Sequence, residues 1–361
     1  MSQSSSSRPF AVCVQPAAAE FKTPGWAVAA PLNAWIEIPG TAGAGGSNIE
    51  SYSGWAPLPD GRIVSTLNGG HGDGTRNSTV IINLLSDAPR WSEIGPPSPT
   101  NTYETAYRED GKPNTSHIYH STMWVPTTNR VMRIGCKYVN GGGNTSFKTV
   151  DGFDLSTNRW DPAGTYPNLT SSDTGVGYHP ILNQVLTVGS FFNPLTGAHT
   201  PITNNGNVPS LVRFPYSWDS TRKQFFGVQV GDGQRYSLSL GLVAVKIVGP
   251  VATAITIADS PAKTMFLNDL PEYAGMAYDP FNDQFLFYWG ASEETRGRIF
   301  IIKPNNTTTW DMTLFNYQSG GVLPVAAAAS GINSKFTYVP QLKGIVTLLS
   351  AKSNLYFMRT S

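Results

Sequence analysis

Charge is scarce in this chain. Asp, Glu, Lys and Arg make up 14% of its 361 residues, and 25 Lys and Arg against 24 Asp and Glu leave a formal net charge of +1. No run of Lys or Arg stands anywhere in it. The basic surface that a phosphate backbone or an acidic membrane demands is therefore missing, and nucleic acid is not an expected partner. Cysteine is nearly absent: Cys13 and Cys136 are too few for a disulfide framework or a thiolate metal site. There is no HExxH, no Walker A and no GxGxxG after a plausible strand, and GGHGDG at residues 69–74 lacks the spaced carboxylates of a calcium loop. No metal and no cofactor is expected. Long apolar runs are missing too. No stretch approaches the roughly 20 apolar residues that span a bilayer, and the opening MSQSSSSRPFAVCVQPAAAEF lacks the apolar run of a secretory signal. The chain reads as soluble, without Sec export or membrane insertion.

What is abundant is turn and ring. With 36 Gly, 27 Pro and 11% aromatic residues, the composition favours many short strands joined by tight turns, an all-β fold. An internal repeat agrees. An aromatic residue, a short turn, an apolar run and usually a glycine recur in YSGWAPLPDGRIVSTLNGG, TMWVPTTNRVMRIG, GVGYHPILNQVLTVG, YSWDSTRKQFFGVQVG, MAYDPFNDQFLFYWG and FTYVPQLKGIVTLLS. With Leu58, Pro126, Pro180, Ser220, Pro280 and Pro340 as equivalent points, the intervals run from 40 to 68 residues, near the periods of propeller repeats. Each unit reads as two antiparallel strands around a turn, then two more, the fourth ending in Trp91, Trp160 or Trp310. The last unit has room for only three strands, KFTYVP, GIVTLLS and NLYFMRT, whereas NAWIEIPG at residues 33–40 carries a closing phrase with no unit before it. An N-terminal strand that completes the C-terminal sheet resolves both facts and removes an exposed edge. The expectation is a β-propeller over residues 31–361, of six blades with seven as the alternative, preceded by an extended leader at residues 1–30.

Gly69-Gly70 after the second strand, a polar stretch, the strand TVIINL and a terminal Trp resemble the kelch repeat of the galactose-oxidase-like central domain superfamily. GGHGDGTRNSTVIINL followed by DGKPNTSHIYHSTMWVP is similar to bacterial and phage kelch-like propellers with a Gly-Gly-His turn. The resemblance covers roughly residues 30–361 and implies the fold, not a function, because propellers host lyases, oxidases, binders and scaffolds alike.

The longest interval contains PSPTNTYETAYREDGKPNT, which ends at Thr115 and reads as one long loop and the first place to seek a binding surface. In an up-and-down blade, the loop between strands 2 and 3 shares a face with the connection into the next blade. That rule groups His71, His117, His120, Lys137, Tyr138, Arg213 and Tyr216 on one rim, and sends His179 to the other. Bland roles compete. Trp124, Tyr178, Trp218, Tyr278 and Tyr338 share one repeat position and read as blade-packing residues, His71 suits the bracing of its glycine turn, and His199 reads as ordinary surface.

Two functions fit these residues. A propeller face rich in rings and amides suits carbohydrate, with Trp55, His71, Asp73, Tyr103, Tyr107, Tyr119, Lys137 and Tyr138 as ligand-binding candidates. Such a recognition module, with residues 1–30 contacting neighbouring proteins, suits a larger assembly such as a phage virion. The alternative is a polysaccharide lyase, in which Arg213 neutralises a uronate carboxylate, His117 or His120 takes the C5 proton and Tyr216 or Tyr138 protonates the leaving oxygen. A purely structural scaffold is the third reading.

Overall fold

A strand packed on both faces needs apolar residues at every position, whereas a strand at a sheet's edge alternates. Both patterns occur here in a fixed order. GMAYD, QFLFY and QFFGVQV are buried throughout, while VATAITI and TWDMTL alternate between buried and exposed. The first three lie near the centre of the molecule and the last two at its outside.

The computed structural model describes residues 21–43, 49, 52–68, 74–102, 104–139, 145–170, 174–203, 215–230, 242–269, 273–290, 292–317, 320–327, 331–350 and 352–361. After the short helix α1 (Gly25–Val28) and strand β1 (Trp35–Ile38), the strands run in groups of four. The first group is β2 (Ala56–Pro57), β3 (Arg62–Thr66), β4 (Thr79–Asn83) and β5 (Trp91–Gly95). The second is β6 (Thr122–Val125), β7 (Arg130–Cys136), β8 (Phe147–Asp154) and β9 (Arg159–Trp160). The third is β10 (Gly177–His179), β11 (Gln184–Thr187), β12 (Ser190–Phe192) and β13 (His199–Pro201). Next come β14 (Tyr216–Asp219), β15 (Gln224–Val230), β16 (Leu242–Val248) and β17 (Val251–Ile257), the helix α2 (Pro261–Asp269), then β18 (Gly275–Asp279), β19 (Gln284–Tyr288), β20 (Ile299–Lys303) and β21 (Thr309–Leu314). The chain ends in β22 (Phe336–Val339), β23 (Gly344–Thr347) and β24 (Leu355–Arg359).

Each group is an antiparallel meander, and the whole is an all-β, propeller-like arrangement. Four sheets have four strands; β14 to β21 form one eight-stranded sheet, because the outer strands β17 and β21 pair in parallel at Thr256↔Thr309 and Ile257↔Trp310. The sequence expectation for the first tryptophan strand holds: β1 lies antiparallel to β24, with Trp35 opposite Met358 and Ile38 opposite Leu355. Hydrophobic clusters join successive sheets in a closed circuit, ending where Val346 and Phe357 of the last sheet meet Ile63 and Val80 of the first. Residues 21–30 pack over that last seam, with the Trp26 ring edge-on to Phe357 at 5.3 Å and its Nε1 donating to the Ser86 carbonyl at 2.9 Å.

One detail of the repeat is corrected. Trp91 opens its outer strand, as Trp35 does, and Trp160 and Trp310 are the second residues of theirs. The tryptophan follows the turn between strands 3 and 4, so that its ring reaches back over the sheet, as Trp160 does onto Phe153 at 5.3 Å. The turn between strands 1 and 2 is likewise uniform. Gly61, Asn129, Asn183, Lys223, Asp283 and Lys343, the last residue before each second strand, all have positive φ between 50° and 81°. His179, Asp219 and Asp279 sit at one repeat position and accept two backbone N–H groups from the turn that follows each, a local bond typical of Asp in turns.

Candidate functional site

The first strands of all these groups face a common axis and line a central channel of about 500 Å³, within the range of roughly 300–1,000 Å³ typical of small-ligand sites. Its mouth opens among the turns between strands 1 and 2, at Pro59, Pro126, Ser220, Pro280 and Pro340. Just inside stands a belt of one residue per group: Pro57, Trp124, Tyr178, Trp218, Tyr278 and Tyr338. They occupy one register, each opposite the second residue of its neighbouring strand, as in Trp124↔Val131 and Tyr338↔Ile345. The reading of these aromatics as packing residues needs widening. Trp218 does pack, 4.6 Å from the His179 ring of the preceding sheet, but in a ring of sheets the same side chain also rims the axis. Tyr278 is fixed by hydrogen bonds to Asp283 at 2.6 Å and Thr221 at 2.7 Å. Burial and that carboxylate raise its phenol's pKa. Among the described residues lining the channel there is no Lys, Arg, Asp or Glu.

Towards the other end of the axis stand the corners that lead into the first strands. Five residues before the belt position stand Tyr52, Tyr119, Tyr273 and Asn333, and all four adopt the left-handed conformation, with φ of 48°, 48°, 58° and 52°. For bulky residues this costs on the order of 1 kcal/mol or more each, so the surroundings must hold them. They do so corner to corner. The Tyr52 carbonyl accepts the N–H groups of Ile118 and Tyr119, both at 3.0 Å, and the Tyr273 carbonyl accepts those of Ile332 and Asn333 at 2.8 and 3.0 Å. Ser334 Oγ donates to the Tyr119 carbonyl at 2.9 Å and accepts the Trp55 N–H at 2.9 Å. Gly54 is obligatory here, because a Cβ at that position would lie 2.3 Å from the Tyr119 carbonyl oxygen.

His117 sits inside this knot. Its ring stacks on Tyr52 at 4.1 Å, meets Tyr138 at 4.9 Å and lies 3.0 Å, Nδ1 to Oη, from Tyr119; the His117 backbone N–H donates to the Lys137 carbonyl at 3.0 Å. His117, Tyr119, Tyr138 and the Lys137 carbonyl thus meet here, with Tyr52 and Tyr273 beside them. Those two escaped the sequence reading, although the constant offset from the belt residue could have found them. Arg213 holds the same offset before Trp218, but it lies outside the described residues, as do His71, Asp73 and Tyr103. Trp55 is fully buried, its Nε1 donating to Thr337 Oγ1 at 2.8 Å. Tyr107, a residue of the long loop, lies beside Asp151, and burial and that carboxylate raise its phenol. The loop itself is firmly tied. Asn77 bonds Ser98 and the Pro113 carbonyl, and Arg108 bonds Asn114 and the Thr100 carbonyl.

His120 and Tyr216 part from His117 and line the channel itself. Both are buried. Burial pushes the Tyr216 phenol well up and the His120 imidazole down to about 4. His120 is therefore neutral in the folded chain wherever the unfolded chain, with an ordinary value near 6.5, would begin to protonate. Stability should be complete above pH 6.5 and fall as the pH drops towards 4, by up to about 3 kcal/mol for this group. His179, also lowered by burial, acts with the same sign. Thermal midpoints of the wild type and His120→Gln at pH 7.0 and 4.5 will check this: the loss on acidification should be smaller in the variant, and equal losses would contradict it.

No protein-family model matches the chain, and no curated protein matches it in sequence. Solved structures are similar to it at low identity. A chain of a mitotic checkpoint complex shares 12% identity at a TM-score of 0.42, covering 98% of this chain and 99% of that one. A structural-genomics protein of unknown function from Bacteroides thetaiotaomicron shares 11% identity at a TM-score of 0.48, covering 90% of this chain and 75% of that one. Beyond the channel, no described helix is long and apolar enough to cross a membrane.

Proposed function

We propose that the chain is a six-bladed, kelch-like propeller that recognises a neutral carbohydrate through the open end of its central channel without cleaving it. The blade count follows from treating β14–β17 and β18–β21 as two blades whose outer strands touch along the short parallel bridge. The kelch assignment rests on the repeat's glycine-ended second strand and its tryptophan-led outer strand. The observation that carries the functional reading is the aromatic belt around a channel with no charged residue among its described lining. Aromatic faces stack on the C–H faces of sugar rings, and an uncharged wall favours an uncharged guest. β-Elimination would need a cation at the substrate's carboxylate, whereas stacking on the belt needs none. Residues 1–30 then serve as an attachment segment to neighbouring proteins of a larger assembly such as a virion. The fastening of Trp26 and its neighbours onto the ring gives such a segment a footing.

Calorimetric titration with cellobiose, maltose and lactose, and with digalacturonate and diglucuronate, tests this reading. Binding is expected for a neutral disaccharide, and Trp124→Ala or Trp218→Ala should weaken it tenfold or more, about 1.4 kcal/mol. Unsaturated products appearing in ultraviolet absorbance on incubation with uronans would instead favour the lyase.

A further inference from the structure

Nearly all buried polar atoms in folded proteins find a partner. Among the described residues, one stretch of seven breaks that rule four times: Ser116 Oγ, His120 Nε2, Ser121 Oγ and Thr122 Oγ1 are all buried without a hydrogen bond. His120 and Thr122 are 6% and 2% exposed, and both side chains line the channel. They belong to the corner and first strand that follow Tyr119, whose left-handed backbone is clamped by Ser334 and by the Tyr52 carbonyl. The chain therefore holds unsatisfied groups at the inner end of a channel whose described lining is uncharged, where a merely structural corner would have apolar side chains or paired ones.

We infer that this inner end is a hydrogen-bonding pocket for an uncharged hydroxyl group, with His120 and Thr122 as the residues that read it. The inference rests on the proposal that the channel binds a neutral sugar. The chemistry of the two side chains selects the guest. An uncharged imidazole offers one N–H and one lone pair, and a threonine hydroxyl both donates and accepts. A sugar hydroxyl, which also does both, satisfies the pair in either direction. A carboxylate can only accept and an ammonium can only donate, and neither finds a counter-charge in the described lining. Burial, which holds His120 in its neutral form, is consistent with such a guest. The belt then supplies stacking on the ring, and the inner end supplies the choice between sugars that differ in one hydroxyl.

The test uses cellobiose, maltose and lactose with their monodeoxy analogues, titrated into the wild type, Thr122→Val and His120→Phe, each checked by thermal melting. At least one deoxy analogue should bind the wild type tenfold or more weakly than its parent, and that penalty should vanish in Thr122→Val or His120→Phe. Thr122→Val, nearly isosteric, carries the test if His120→Phe does not fold. If folded variants bind the parent sugars and discriminate the analogues as the wild type does, while Trp124→Ala and Trp218→Ala lose binding, the hydroxyl pocket is wrong and the channel reading stands. If the belt variants bind unchanged, or no sugar binds, the channel reading fails and the pocket with it.

Discussion

Replacing Arg133 with methionine will remove about 3–5 kcal/mol of folding stability, although the residue touches neither the channel nor the surface. The Arg133 side chain is wholly buried in β7 and forms an ion pair with Asp151 of β8, its Nη2 and Nε donating at 2.6 and 3.0 Å. The same guanidinium donates to the Asn114 carbonyl at 2.9 Å and to Thr149 Oγ1 at 3.2 Å. It therefore ties two strands of the second sheet to the end of the long loop that closes at Thr115. A lone substitution strands the Asp151 carboxylate in the interior, and the cost of that uncompensated charge dominates the loss. Arg133→Met with Asp151→Leu should recover most of it, because the desolvation penalty leaves with the second charge. Urea denaturation of the single and double variants measures both. A single variant within 1 kcal/mol of the wild type would show that the pair is not holding the loop.

The second large effect is expected at the seam. Trp35→Ala should cost about 3–5 kcal/mol, the usual range for removing a fully buried Trp. Its ring packs in the cluster that joins the fifth group of strands to the last, 5.9 Å from Tyr288. The β1 backbone supplies the outer strand of the last sheet. Deleting residues 1–38 goes further and bares the edge of β24, an unpaired row of backbone groups that invites pairing with other chains. The point variant should melt earlier yet remain monodisperse, whereas the deletion should aggregate in size-exclusion chromatography. A monodisperse, equally stable deletion would mean that the ring does not depend on this strand.

How much of this was legible in the sequence differs from element to element. The repeat was, because blades buried on both faces impose near-continuous apolar strands between fixed turns. The closing strand was also legible, since a missing outer strand at one end matched a surplus Trp-Ile-Glu-Ile at the other. The position of the outer tryptophan within its strand was not, because whether a ring precedes or follows the turn depends on which side of the sheet it must cover. Belt residues such as Trp124 and Tyr338 were recognised as equivalent but assigned to packing alone. Periodicity gives a shared position, not the distance from the axis. The tyrosine knot was least visible, since nothing in the letters of Tyr52 or Tyr273 announces a left-handed backbone. That conformation is imposed by the convergence of corners from sheets far apart in the chain. The long loop after β5 reads in the sequence as a place to seek a binding surface, but how it is held is not legible there: Asn77, Arg108 and Asn114 fasten it through bonds to backbone carbonyls that no spacing rule reveals.

The decisive measurement is a crystal structure of the protein soaked with the tightest-binding of cellobiose, maltose and lactose. A sugar ring is expected inside the mouth against Trp124 or Trp218, with a hydroxyl directed towards His120 and Thr122. Sugar found only over the Tyr52 and Tyr138 face, with the channel unchanged, would contradict it.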